Sequence, residues 1–368
     1  MQSTNGTSIE ALRGAPPASP AFETAQAWRG PDMARHQQRW QWPLQAAHVQ
    51  ELEAAVAQAL TRLGDSDDLL PLGRADFPLP TLAPLLARIR QEALHGIGFA
   101  LLRGVPVDGH DTRWCAVAFW GLGLYLGEPV SQNAKGHALG HVKDLGLDYS
   151  QPEVRGYQTR ARLPYHTDYS DLVCLLCVKP AVSGGLSSIV SSVTLYNEMR
   201  DKRPDLAAAL EQPLCRSRWG EVSNGQKPWL EVPVFNVSEN GVSTTYARSA
   251  VRKVADLPGA PQPTPAQVEA MDYLDALAMD PQLHLDMEFK PGDVQVVNNH
   301  SIMHSRTDYE DAADWEQKRH LLRLWLACED GPVFPEGMTA NFQGTTAGGR
   351  PNGIHIEGVP LSTPLDAC

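Results

Sequence analysis

Apolar residues recur at three- and four-residue spacing in PLQAAHVQELEAAVAQALTRL (43–63) and in TLAPLLARIRQEALH (81–95), which predicts two amphipathic helices. GIGFALLRGVP (96–106) reads as a strand stopped by Gly and Pro. TRWCAVAFWGLGLYLG (112–127) reads as an apolar helix closed at Gly127. From about Gln132 the period shortens. LVCLLCVKP, SSIVSS, LEVPVFNVS, STTYARS, DVQVVNN and HLLRLWLAC favour β structure, each bounded by Gly, Pro, Asn or Asp. Two helical stretches interrupt them, SVTLYNEMRDKRPDLAAALEQ and TPAQVEAMDYLDALAMD. Short strands with helices outside them predict a mainly β, α+β chain: a jelly-roll barrel with flanking helices and a mouth able to hold a ligand.

The first thirty residues are rich in Pro, Ala, Ser and Gly and read as a flexible N-terminal arm (1–30) before a single domain (31–368). The net charge of −12 offers no basic field for phosphate backbones, so nucleic acid is not an expected partner. No apolar run is long enough to span a membrane, and the N-terminus lacks a secretory pattern. Six scattered cysteines do not suggest a disulfide framework, which fits a cytoplasmic setting. Cys174 and Cys177 form a CxxC, but side chains three apart on a strand point to opposite faces, so buried inert thiols are expected.

The sharpest chemical feature is His166-Thr167-Asp168 in RLPYHTDYSDLV. An imidazole and a carboxylate two apart on an extended segment project to one side and can share a metal. A second imidazole from a distant strand would complete the two-histidine, one-carboxylate set of non-haem iron(II) oxygenases. An HxD triplet alone is weak, and His284-Leu285-Asp286 is a second one, read as a surface or helix-end decoy. The late segment FKPGDVQVVNNHSIMHSRT offers two third ligands, His300 and His304, and spacing does not choose between them. His137 and His141 stand four apart, but the glycines around them argue for a loop.

The blocks GFALLRGVP, YHTDYSDLVCLLC, SGGLSSIVSS, RPDL, KPGDVQVVNNHSIMHSRT and RHLLRLWL resemble, in order and approximate spacing, the taurine dioxygenase (TauD/TfdA) family and its clavaminate-synthase-like relatives. The resemblance covers a core of about residues 75–335. It implies a double-stranded β-helix, with His166, Asp168 and His304 as catalytic Fe(II) ligands and His300 as a neighbour. It places Arg319 on the distal carboxylate of the cosubstrate 2-oxoglutarate, helped by a hydroxyl from Ser187 or Ser188, with Ser187 aligning better. Arg323, four residues on and facing the same way, would meet an anionic group of the substrate, 2-oxoglutarate or an internal carboxylate. Gln132, Asn133 and Tyr165 are further candidates for the pocket wall, ordinary turn and core packing being their bland alternative.

The implied reaction consumes O2 and 2-oxoglutarate, releases succinate and CO2, and oxidises an unactivated C–H bond of a small polar or anionic metabolite. Hydroxylation is the leading outcome, with desaturation or cyclisation open. The carboxylate at Asp168 disfavours halogenation, which needs that coordination position for chloride. A barrel that binds metal or ligand without turnover and a zinc hydrolase are the competing readings. Oligomeric state is not legible from the sequence, although homodimers and homotetramers are common in the family. The substrate is not legible, because its contacts come from loops and insertions.

Overall fold

The computed structural model describes residues 21–148, 155–223, 225–239, 241–334, 344–351 and 353–367. Two sheets carry the site. The larger has seven strands, in the order Gln41–Pro43, Phe99–Arg103, Val294–Asn298, Leu172–Lys179, His320–Ala327 and Glu128–Val130. Leu139–Val142 also pairs with His320–Ala327. The smaller is antiparallel throughout: Leu285–Met287, Ser187–Ser191, Ile302–Arg306, Leu163–His166.

Alternation along these strands sorts their side chains into layers. On the larger sheet, Leu172, Cys174, Leu176, Leu322, Leu324 and Leu326 pack outward beneath the helices Ala46–Leu63, Ala83–His95 and Thr112–Leu126. Val173, Cys177, Leu321 and Trp325 point inward, where they meet Ile189 and Ile302 of the smaller sheet. The outer face of the smaller sheet, including Val190 and Met303, is covered by the helices Ser192–Lys202, Pro204–Leu210 and Pro265–Ala278. Each buried aliphatic side chain contributes about 1.5–3 kcal/mol, so this layering fixes the register on which the site depends.

Local chemistry explains the element ends. Asp111 caps its helix by accepting from the Trp114 amide at 2.7 Å, and Thr264 caps the helix that begins at Pro265. Pro204 divides the expected long insertion into two helices. Gly123 lets the apolar helix lie against the sheet, since a Cβ there would stand 2.5 Å from Leu324 Cδ1. The CxxC pair is split between the outer and inner cores, and Cys115, Cys174, Cys177, Cys215 and Cys328 are free thiols. Cys368 lies outside the described residues.

Three expectations need correction. LEVPVFNVS is two strands, Trp229–Val232 and Phe235–Ser238, because Pro233 interrupts the ladder; each joins a different pair. STTYARS leaves its strand at Thr244 and enters a helix at Arg248. The arm expected to reach residue 30 is docked from Phe22 onward. The Phe22 amide donates to Asn197 Oδ1, and buried Trp28 donates its indole N–H to the Ile97 carbonyl at 2.8 Å. Residues 1–20 lie outside the described residues.

Candidate active site

Strand pairing brings the distant motifs together. Leu163–His166 lies antiparallel to Ile302–Arg306, with His304 directly opposite His166. Asp168 follows as the chain leaves its strand. His166 Nε2 stands 3.9 Å from Asp168 Oδ1, His304 Nε2 stands 3.6 Å from Asp168 Oδ2, and the two imidazole rings are 4.3 Å apart. One potential ligand atom from each residue lies within 4.8 Å of the others, and this is the only such cluster among the described residues. The donors are two imidazoles and one carboxylate around open space, the chemistry suited to Fe(II).

The surroundings set the chemical form of His166 and Asp168. His166 Nδ1 lies 2.8 Å from the Pro164 carbonyl, so its proton belongs there and Nε2 is left to the metal side. Burial and the facing His304 lower His166 to about 4, keeping its imidazole neutral. Burial opposes charge on Asp168, but its contacts with His304 and Arg323 outweigh that and hold the carboxyl well below the usual range. The Asp168 carboxylate also accepts the Trp325 indole N–H at 2.9 Å, and its backbone N–H donates to Asn299 Oδ1.

Behind His166 and His304 the cavity continues between the sheets, lined by Tyr157, Ser187, Phe289, Arg319, Leu321 and Arg323. Arg319 is only 3% exposed, and its Nη1 has no acceptor within the protein. Its guanidinium lies over the Tyr309 ring at 5.2 Å. The backbone makes room for it at Gly185, which adopts φ +67° and where a Cβ would stand 3.2 Å from Arg319 Nε. Ser187 points into this cavity and donates to Gln295 Oε1. Ser188 points to the other face, toward Asp286 and Tyr165. A buried guanidinium with a free donor and a nearby hydroxyl fit the far carboxylate of a dicarboxylic acid whose other end reaches the triad.

Arg323 stands between this cavity and the open cleft. Its Nη1 is 3.8 Å from Asp168 Oδ2, and its Nε donates to Gln132 Oε1 at 2.6 Å. Gln132 therefore does reach the cleft, whereas Asn133 caps a local turn through Lys135 and His137. Tyr165 also lines the cleft, while its ring packs into the helix-side core and its hydroxyl meets Ser188.

The remaining histidines go elsewhere. His300 is buried against Asp171, with Nε2 to Oδ1 at 2.8 Å, and Asp171 also holds Arg350. His284 stands 3.7 Å from Asp286 at the edge of the smaller sheet and joins no metal cluster. His141 bonds His320 and the Pro364 carbonyl. Sequence reasoning missed Trp325, whose signal was available: it has the same strand parity as Arg319 and Arg323. It also missed Asn299 as the anchor of the Asp168 backbone.

Comparisons with known proteins agree with this geometry. The model of the family described as "Taurine catabolism dioxygenase TauD, TfdA family" matches residues 65–325. FR-33289 synthase of Streptomyces rubellomurinus is 30% identical over 82% of this chain and 90% of its own length. A uridine-5'-phosphate dioxygenase of an Amycolatopsis species is 30% identical over 62% of this chain and 85% of its own. Among solved structures, an asparagine oxygenase in complex with Fe(II), 2S,3S-3-hydroxyasparagine and succinate superposes with a TM-score of 0.62. It is 18% identical, covering 78% of this chain and 94% of that one. The non-haem iron oxygenase OrfP with Fe and alpha-ketoglutaric acid gives 0.55 at 17% identity, covering 78% and 94%.

Proposed function

This chain belongs to the TauD/TfdA family of Fe(II)- and 2-oxoglutarate-dependent dioxygenases, and from that premise we propose that it hydroxylates an unactivated C–H bond of a small, anionic metabolite. Fe(II), 2-oxoglutarate and O2 are its cofactor and cosubstrates. In this reading the two sheets are the halves of a double-stranded β-helix, and His166, Asp168 and His304 hold the iron at its mouth.

The observation that carries the reading is the pairing of two things in one enclosed space. Two histidines facing each other across paired strands and the carboxylate of Asp168 form one cluster, and Arg319 waits behind it with an unsatisfied donor. When bound, the iron and 2-oxoglutarate supply the oxidising power, with succinate and CO2 released. The protein's own residues do the rest. The Pro164 carbonyl holds the His166 tautomer, His304 and Arg323 keep Asp168 ionised, and Trp325 fixes its carboxylate in rotation. Arg319 receives the distal carboxylate of 2-oxoglutarate with help from Ser187. Leu321 and Phe289 form an apolar part of that cavity's wall. Arg323 faces the cleft, where it orients the substrate's charge and aims one C–H bond at the metal.

Support for an anionic substrate comes from the guanidinium at the cleft and from the phosphate in the name of the uridine-5'-phosphate dioxygenases. Desaturation or cyclisation would use the same site and depends on how the substrate is placed. Succinate release tests the reading: it should require Fe(II), 2-oxoglutarate and O2 together, rise with one member of a panel of small anionic metabolites, and vanish in His304→Ala. Turnover without O2, or persisting in His304→Ala, would refute it.

A further inference from the structure

The family match ends at Trp325, yet the chain beyond it returns to the cleft. Residues 344–351 and 353–367 form a strap tied down at several points. Arg350 grips Asp171, three residues after the proposed ligand Asp168: its Nε donates to Oδ2 at 2.9 Å and its Nη2 to Oδ1. The Ile354 amide donates to the Ser131 carbonyl at 2.9 Å, next to Gln132, which holds Arg323. Farther on, Ser362 exchanges backbone bonds with Gly136 and Ala138, the Leu69 amide donates to Thr363 Oγ1 at 2.8 Å, and Leu365 packs on the outer core. These anchors fix Ile354, which is buried in the same inter-sheet core as Trp325.

Ile354 lines two connected spaces. One is the cleft that holds His166, Asp168 and Arg323; the other is a side lobe with a cavity volume of 50 Å3. Asp168, Tyr169, Trp219 and Glu221 belong to both, so the lobe opens at the triad. At about 10–15 Å3 for one water, the lobe admits roughly three or four heavy atoms. Its polar lining is largely committed. Ser170 donates to the Leu172 carbonyl, Thr245 donates to the Pro233 carbonyl, Asn299 holds the Asp168 amide, and His300 pairs with Asp171. Glu221 is paired with Arg155, and Arg218 is engaged within the protein. Thr244 Oγ1, a neutral hydroxyl, has no partner among the described residues. What the lobe chiefly leaves for a ligand is the surface of Tyr169, Trp219, Leu230, Pro351 and Ile354, which favours an aliphatic group.

We propose that the lobe seats an uncharged aliphatic arm of the primary substrate and that Ile354 sets the length of arm admitted. The assignment deepens the function proposed above and rests on its reading of the triad and of Arg323. The substrate's charged group lies toward Arg323, its aliphatic arm lies past Asp168 beside Ile354, and the carbon to be oxidised lies between them at the metal. Size selection then comes from a residue beyond the family match, carried on a strap that the rest of the fold holds in place. A methylene that fits such a lobe strengthens binding about fourfold, whereas one too many forces buried side chains aside.

Straight-chain alkanesulfonates, from methanesulfonate to hexanesulfonate, test it. They are titrated anaerobically into the full chain loaded with Fe(II) and 2-oxoglutarate, and binding is read through the metal-to-ligand absorption band. The sulfonate is a poor iron ligand and offers Arg323 an anion; the alkyl chain gauges the lobe. In the parent, affinity should rise about fourfold per carbon up to propane- or butanesulfonate and then fall about tenfold. Ile354→Val should move the optimum roughly one carbon longer and Ile354→Ala roughly two or three, while Ile354→Phe should shorten it. Leu365→Ala, on the same strap but against the outer core, should keep the parent profile. The Kd of 2-oxoglutarate should be unchanged in every variant, which separates a change in the lobe from a disturbed fold. One length profile shared by the parent, Ile354→Val and Ile354→Phe, no dependence on length, no sulfonate binding by the parent, or a profile that shifts in Leu365→Ala would each overturn the proposal. Length selection that follows Ile354 while no metabolite elicits succinate would uphold the lobe and refute the proposed reaction.

Discussion

Trp325→Phe removes a single hydrogen bond from the proposed metal site while keeping an aromatic ring in the core. The indole N–H of Trp325 reaches Asp168 Oδ2 at 2.9 Å, and the residue is only 4% exposed, so water does not readily replace the lost donor. A hydrogen bond to a charged acceptor contributes about 1.5–3 kcal/mol, which corresponds to roughly 10–150-fold in an equilibrium constant. Loss of a partner behind a metal ligand generally weakens metal binding by about 10–100-fold, in the same range. The substitution also leaves a void in the inter-sheet core, at about 0.5–3 kcal/mol of folding stability. Anaerobic Fe(II) titration in saturating 2-oxoglutarate, followed through the metal-to-ligand absorption band, measures the first effect; thermal melting of the metal-free protein measures the second. Fe(II) affinity should fall by at least tenfold. Trp42→Phe, at a partly buried tryptophan packed on the outer core, should leave it unchanged. Unaltered Fe(II) affinity in Trp325→Phe would show that the Trp325 contact does not support the metal and that Asp168 is oriented by other groups.

Three further outcomes are expected. Arg319→Met should raise the KM for 2-oxoglutarate by about 10–150-fold, from a charge-assisted bond of about 1.5–3 kcal/mol, and an unchanged KM would remove Arg319 from the cosubstrate site. His300→Asn should retain Fe(II) binding but lose about 1–3 kcal/mol of stability in urea unfolding, since it strips a buried partner at 2.8 Å from Asp171; loss of metal with stability intact would make His300 a ligand instead. Burial, with His141, Lys143 and Lys179 nearby, lowers His320 to about 3 from 6.5, so the unfolded chain takes up that proton first. Stability is therefore full above pH 6.5 and declines toward pH 3, by about 5 kcal/mol at most. Melting temperature followed against pH should show a shallower acid limb in His320→Gln.

The local elements were legible because their physics is local. Helical spacing and terminal Gly and Pro signals found Ala46–Leu63, Ala83–His95 and Thr112–Leu126 within a few residues. The CxxC was separable from a metal site by strand parity alone. Prolines caused two of the misreadings: Pro233 cut one apparent strand into two that pair with different partners, and Pro204 cut one helix into two. Sequence could not choose between His300 and His304 by spacing, since both follow the same turn. The choice is made by parity and pairing: His304 has the inward parity of Ile302 and lies opposite His166, while His300 is captured by Asp171 before the strand begins.

The inward-facing residues of His320–Ala327 follow one rule. Arg323 and Trp325 alternate with Leu322, Leu324 and Leu326, which are committed to the outer core. A one-residue slip of this strand would bury two leucine-facing positions against the cavity and drive Arg323 and Trp325 into the helices. Arg319 just precedes the strand and lines the cavity behind His166 and His304, while Arg323 and Trp325 lie within the strand and reach Asp168. The outer leucine ladder thus holds in place, at one time, the proposed cosubstrate cation, the proposed substrate-side cation and the indole that fixes Asp168. Substitutions in Leu322 or Leu324, which touch none of these groups' ligands, should therefore disturb Fe(II) and 2-oxoglutarate affinity together rather than one at a time.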